Sequence, residues 1–180
     1  MPTLIDRRGP RVDVWTRVAD ADTGEDAANR PAAAGTASLP AATPLLLSLP
    51  RWRLDGPSLV AAGRSVGVRL APGDDPAEIA PALGQLALIA IEFPTFADGR
   101  GYSSARLLRQ RHGWIGELRA IGDVQRDQLF YLARCGFDTF LLRDGESVAN
   151  ALLAFGDFSD AYQGGADCGP LFGRRAAAIS

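Results

Sequence analysis

The run Asp98-Gly99-Arg100-Gly101-Tyr102-Ser103 puts an acid, a guanidinium, a phenol and a hydroxyl within six residues, with two glycines between them. Glycine lets the backbone approach a ligand closely. Arginine offers a planar fork that grips a carboxylate or a phosphate at two points. Ser103 reads as the opening residue of a helix, where free N–H groups attract anions. Arg100, Tyr102 and Ser103 are therefore candidate ligand- and anion-binding residues. The run is neither a Walker A loop nor a G-x-G-x-x-G fingerprint. The plainer alternative is a turn with a structural Asp98–Arg100 bridge.

A second group follows at Asp123, Arg126 and Asp127. With Asp98, the two aspartates complete the set of candidate catalytic carboxylates, Asp98, Asp123 and Asp127. Such groups serve as acid and base toward a small phosphorylated or carboxylated metabolite, with Arg100 and Arg126 clamping its charge. The plainer alternative makes Asp123 the N-cap of a helix, with the i, i+4 repulsion from Asp127 offset by the helix terminus and Arg126. No metal is assigned. Arg106, Arg109 and Arg111 read as a solvated helix face whose carboxyl end favours positive charge.

Other chemistries are closed off by counts. His112 is the single histidine, which rules out multi-histidine metal sites and argues against a Ser-His-Asp triad. Two cysteines cannot ligate an iron–sulfur cluster. Cys135 reads as a buried core thiol and Cys168 as an exposed one. All nineteen cationic residues are arginine, so lysine Schiff-base chemistry is excluded. No flavin or nicotinamide motif is present, and no cofactor is expected.

The elements that must position these residues alternate in type. Residues 45–49, 66–70, 86–93, 116–122 and 137–142 read as strands, and 11–18 as a half-buried strand with Val12, Val14 and Val18 on one side. Helical patterns follow Asp75-Pro76, run over 103–112, start at Asp123, and recur through Val148, Ala151, Leu152 and Phe155. A short helix is expected to open near Pro57. This alternation predicts an α/β fold with a mostly parallel sheet and helices on its faces. The first choice is a three-layer sandwich and the second a partial TIM-like barrel closed by a partner chain. Ligands collect at the carboxyl ends of such strands, here Glu92, the 94–103 loop, the 122–127 turn and Arg143-Asp144.

Length and composition bound the rest. At 180 residues, 47% hydrophobic and 22% charged, the chain suits one globular domain. Residues 1–43 divide into a short strand and an Ala/Pro-rich flexible segment, 44–163 form the α/β domain, and 164–180 a loose tail. The net charge of −2 gives no reason to expect nucleic acid or a membrane surface. No export signal or membrane-length apolar run is present, so a cytoplasmic protein is expected. Five consecutive apolar residues, 129–133, circle more than one helix face and suggest a homodimer.

Phe93-Pro94, Phe96, Asp98-Gly99-Arg100, Tyr102-Ser103 and Ala105-Arg106-Leu107-Leu108-Arg109 together resemble one bacterial family. Gly116-Glu117-Leu118-Arg119-Ala120, Gly122-Asp123-Val124, Arg126-Asp127-Gln128-Leu129, Arg134-Cys135-Gly136-Phe137-Asp138 and Tyr162-Gln163 extend the likeness. The family is the domain of unknown function 934, and the resemblance spans most of 44–163. Its members typically sit beside sirohaem-dependent sulfite reductase genes. The resemblance therefore implies an accessory protein of assimilatory sulfite reduction that binds the sulfite reductase haemoprotein, or an anionic component of it, through the 94–103 and 122–127 loops. It carries over no catalytic residues. Segment 19–43 and the Gly/Cys tail depart from the family pattern.

Overall fold

The structure, a computed structural model, describes residues 2–18 and 43–156. The segment 19–42 and the residues from 157 onward, Cys168 among them, lie outside the described residues.

Eight strands form one sheet: β1 (Leu4–Asp6), β2 (Gly9–Arg11), β3 (Thr16–Arg17), β4 (Leu45–Ser48), β5 (Val66–Leu70), β6 (Leu88–Phe93), β7 (Glu117–Val124) and β8 (Thr139–Leu142), in the order β2-β1-β8-β7-β6-β5-β4-β3. From β3 to β8 each strand lies parallel to the next in chain order. At the other edge β1 runs antiparallel to β8, and β2 antiparallel to β1. The sheet is thus mixed, which corrects the expectation of a mostly parallel one. The added hairpin was hard to read because only Leu4 and Ile5 mark it as apolar. Its turn is made locally, with one Asp6 carboxylate oxygen accepting from the N–H groups of Arg8 and Gly9 at 2.7 and 3.0 Å.

The topology forces the sheet to curl. Its two edge strands, β2 and β3, are joined by only four residues, 12–15. That link spans at most about 18 Å, whereas eight strands laid flat would set the edges roughly 34 Å apart. The result is a curled half-barrel. Residues 12–15 cross its concave side as a strap. Val12 and Val14 are 84% and 57% exposed on that strap, so of the half-buried strand expected over 11–18 only Thr16–Arg17 forms a new strand, with Val18 packed against the core. Trp15 instead turns inward beside Leu46, Leu88, Ala90 and Ile121.

Period-two alternation along the strands sorts side chains between two faces. Leu45, Leu47, Val66, Val68, Ile89, Ile91, Phe93, Leu118, Ala120, Phe140 and Leu142 point to the convex side. They pack there with residues of α1 (Leu49–Ala61), α2 (Arg100–Arg106), α3 (Arg126–Arg134) and α4 (Val148–Ala154). The concave cluster contains no helical residue. Among the described residues, then, helices cover one face, as sequential parallel crossovers of one hand require, and no three-layer sandwich forms. The second apolar face of 129–133 is met in part within the chain: α4 packs beside α3 and Arg134 lies over the Phe130 ring at 5.8 Å, while Tyr131 stays 50% exposed.

Helix starts differ from expectation where a cap was misread. α1 begins at Leu49, capped by Ser48, whose hydroxyl accepts from Arg51 N–H, and Pro57 sits inside it rather than opening it. Asp75 and Pro76 do start a helical segment, but a 3-10 one over Pro76–Gln85. α2 begins at Arg100, so Ser103 lies a turn inside it and is not its opening residue. The helix then widens into a π turn over Leu107–Arg111 and stops before Gly113, whose φ is +67°.

Candidate functional site

The loops at the carboxyl ends of β6 and β7 come together. The sequence placed Asp123 at a helix N-terminus, but β7 runs on to Val124 and Gln125 caps α3. Gly122 makes the extension possible. Its φ is +99°, and a Cβ there would sit 2.2 Å from the Phe93 carbonyl oxygen on β6. Only glycine allows that approach at that φ. A register irregularity between Ala120 and Val124 accompanies it.

Asp123 thereby becomes a loop clamp. One carboxylate oxygen accepts from Phe96 N–H at 3.0 Å, and the other from the Gln125 side-chain amide at 3.0 Å. Arg143, just past β8, lies 3.6 Å from Asp123 and 3.4 Å from Glu146. Gln128, 5% exposed, completes the clamp. Its Oε1 accepts from Gln125 N–H at 3.0 Å, closing a capping box, and its amide donates to the Phe96 carbonyl at 3.2 Å. The Phe96 backbone is thus held from both sides while the residue as a whole is 49% exposed.

Asp98 and Arg100 form the bridge that the plainer reading anticipated. Asp98 accepts from Arg100 N–H at 3.1 Å, Nε at 3.0 Å and Nη2 at 2.6 Å. These donors, the Arg100 side chain foremost, hold the Asp98 carboxyl below the usual carboxylate range. Arg100 also reaches the Pro72 carbonyl beyond β5 at 3.5 Å. Tyr102 is half-buried between Phe93 and Tyr131, with ring centroids 5.2 and 5.1 Å away. That burial pushes its phenol above the ordinary value, against a hydrogen bond with Gln128. Its neighbour Gly101 lies close to Phe93, 2.6 Å from a Cβ built there.

The remaining candidates are peripheral. Ser103 is exposed on α2. Asp127 is 76% exposed and lies 3.3 Å from Arg126. It shares no helix face with Asp123, which is on a strand. Glu92 faces the concave side and pairs with Arg69 on β5 at 2.6 Å. Among the described residues no group of three or more His, Cys, Asp or Glu side chains is placed to hold a metal. The geometry therefore puts Asp123 and Gln128 on the Phe96 backbone and pairs Asp98 with Arg100 further along the same loop, while Ser103 and Asp127 are exposed. Sequence reasoning placed Arg143 on this edge but missed the clamping roles of Gln125 and Gln128. The Gln-x-x-Gln spacing after β7 was the available signal, because it is the spacing of a capping box.

Arg109 is also not where expected. It is 14% exposed at its side chain, not part of a solvated face. Its Nε donates to Gly136 O at 3.0 Å, Nη1 to Trp114 O and Gly116 O at 2.6 and 2.9 Å, and Nη2 to Asp138 at 2.6 Å. It is a strut at the amino end of the sheet, far from the loops. Cys135 is a buried core thiol, as expected.

These features define a class: a curled α/β half-barrel with helices on its convex side and a clamped, charge-paired loop edge at the carboxyl ends of its central strands. Residues 67–172, more than half of the chain, match the family described as "Bacterial protein of unknown function (DUF934)". The chain belongs to that family. A comparison with curated proteins returned no match. No helix among the described residues is long and apolar enough to cross a membrane.

Proposed function

We propose that this protein is an accessory factor of assimilatory sulfite reduction that docks on the sulfite reductase haemoprotein through the Phe96 edge. The observation that carries the docking reading is the state of Phe96. An aromatic ring is held toward solvent on a backbone fixed at both its N–H and its C=O. A binding anchor immobilised before the encounter loses little conformational freedom on binding, and buried aromatic anchors carry much of an interface's energy. The charges around it support docking as well. Arg100, Arg126 and Arg143 are each engaged by a carboxylate of this chain. A small anion would have to displace those pairs, whereas a protein surface can pack over them. The identity of the partner rests on the family resemblance.

The test is capture of the tagged protein from its native bacterial host grown on sulfate. Sulfite reductase should co-purify with the wild type, and Phe96→Ala should weaken that capture by about tenfold or more without lowering thermal stability. Absence of the reductase, together with normal growth of a deletion strain on sulfate, would remove the proposal. The competing reading is an enzyme using Asp98 or Asp123 as acid or base, with Arg100 and Arg126 as clamps. It would show itself as thermal stabilisation by a sulfur or phosphate metabolite that Arg100→Ala abolishes.

A further inference from the structure

The strap and the strands it joins border a cleft that shares no residue with the Phe96 edge. Its volume is about 480 Å³, a usual size for a site that takes a small organic molecule. Trp15 lines it from the strap, Leu4 and Leu141 from β1 and β8, and Arg11 and Arg17 from the ends of β2 and β3. Because β2 and β3 are the two edges of the sheet, the cleft is bounded by both ends of the curl.

Trp15 supplies a flat surface that is already in place. Gly67 on β5 gives it room, since a Cβ there would meet the ring at 3.1 Å, yet the residue stays partly exposed. Its indole N–H has no hydrogen-bond partner among the described residues and is not buried, so it remains a donor. A seated ring of this kind suits a second flat ring. The charges select an anion. Arg17 is exposed and makes no ion pair or side-chain hydrogen bond among the described residues. Arg11 gives one N–H to Asp6 at 3.0 Å and keeps a side chain 59% exposed, so most of its fork is open. Among the described residues the one acid on the wall is Asp13, which is taken up by the buried guanidinium of Arg119 at 2.8 Å. Unlike Arg100, Arg126 and Arg143, Arg17 has no pair to break before it grips a carboxylate or a phosphate at two points. We propose that this cleft binds a small aromatic anion, its ring against Trp15 and its acid group on Arg17, with Arg11 as the second donor. This binding does not depend on docking at Phe96.

The experiment titrates the full chain with naphthoate and with naphthyl phosphate and follows the indole N–H signals by NMR. The signal of Trp15 is the one that Trp15→Phe removes. Each probe should move it saturably and leave the signals of Trp52 and Trp114, both 6% exposed, in place, and the tighter probe identifies the acid group. Arg17→Ala should weaken binding about tenfold, and it should fold as the wild type does because the side chain it removes is exposed and unpaired. Naphthol, which has the ring without the charge, and acetate and inorganic phosphate, which have the charge without the ring, should each bind at least about tenfold more weakly. Unchanged affinity in Arg17→Ala, equal affinity for naphthol and naphthoate, or a Trp15 signal that never saturates would overturn the proposal. Probe binding lost in Phe96→Ala but kept in Arg17→Ala would overturn it as well, by placing the anion on the docking edge.

Discussion

At the scale of single residues, the loop edge contains an acid whose ionisation is set by one neighbour. Asp98 takes three N–H donors from Arg100, and they hold its carboxyl below the usual carboxylate range. A carboxylate depressed in the folded state adds stability that is complete above its unfolded pKa and is lost as pH falls through the folded one. The Asp98–Arg100 clip should therefore stay closed at neutral and mildly acidic pH and open only below the ordinary carboxylate range. Carboxyl-carbon NMR titration of Asp98 should show a depressed midpoint that returns to the ordinary range in Arg100→Ala. A midpoint already ordinary in the wild type would contradict the clip. The Asp98–Arg100 bridge was legible in the sequence because two residues separated by one glycine need no fold to meet. Asp123 was not. Its role depends on a backbone approach between Gly122 and Phe93, twenty-nine positions apart, which only the β6–β7 pairing creates.

At the scale of elements, the π turn at Leu107–Arg111 has a structural consequence. It brings Arg109 under the sheet to the carbonyls of Trp114, Gly116 and Gly136, tying α2 to the starts of β7 and β8. π turns often mark special positions in a helix, and here the position is a joint. Charge-assisted bonds in a largely buried setting are worth about 1.5–3 kcal/mol each before compensation. Removing the guanidinium would strand several carbonyls and Asp138 together. Arg109→Ala should lower unfolding free energy by about 3 kcal/mol, read as a shifted urea midpoint at unchanged m-value. Arg109→Lys should recover less than half of it, since one ammonium cannot reach acceptors spread around a planar fork. A loss below about 0.5 kcal/mol, the usual range for a surface site, would return Arg109 to the solvated face. Sequence periodicity found this helix and its stop at Gly113, but a solvated charge and a strut share one spacing signature. What distinguishes them is the loop 112–116 folding back, with Trp114 N–H donating to the Leu108 carbonyl at 2.9 Å.

For the whole molecule, the alternation of strand and helix patterns revealed the α/β class, while the closure depends on a segment with little sequence signal. Residues 12–15 look like an alternating strand, yet they cross the concave face. They do so because β2 and β3 occupy opposite edges of the sheet. Two contacts hold the strap. Asp13 pairs at 2.8 Å with Arg119, a side chain 4% exposed whose other partner is Glu117 at 2.9 Å. Trp15 covers Gly67, where a Cβ would meet its ring at 3.1 Å. Asp13→Ala leaves the Glu117 pair in place but strips the buried Nη1 of its charged acceptor, so it should cost about 2 kcal/mol. Trp15→Ala should cost a similar amount, about 2 kcal/mol, because the ring is only partly buried. If the strap works as one clasp, the first substitution already frees the second contact, and the double variant should cost distinctly less than the sum. Additivity within about 0.5 kcal/mol would mean that Asp13 and Trp15 hold the concave face independently. Urea unfolding of the four proteins in the cycle decides between them, and the sub-additive result is expected because a four-residue link between two edges has no slack to release one contact alone.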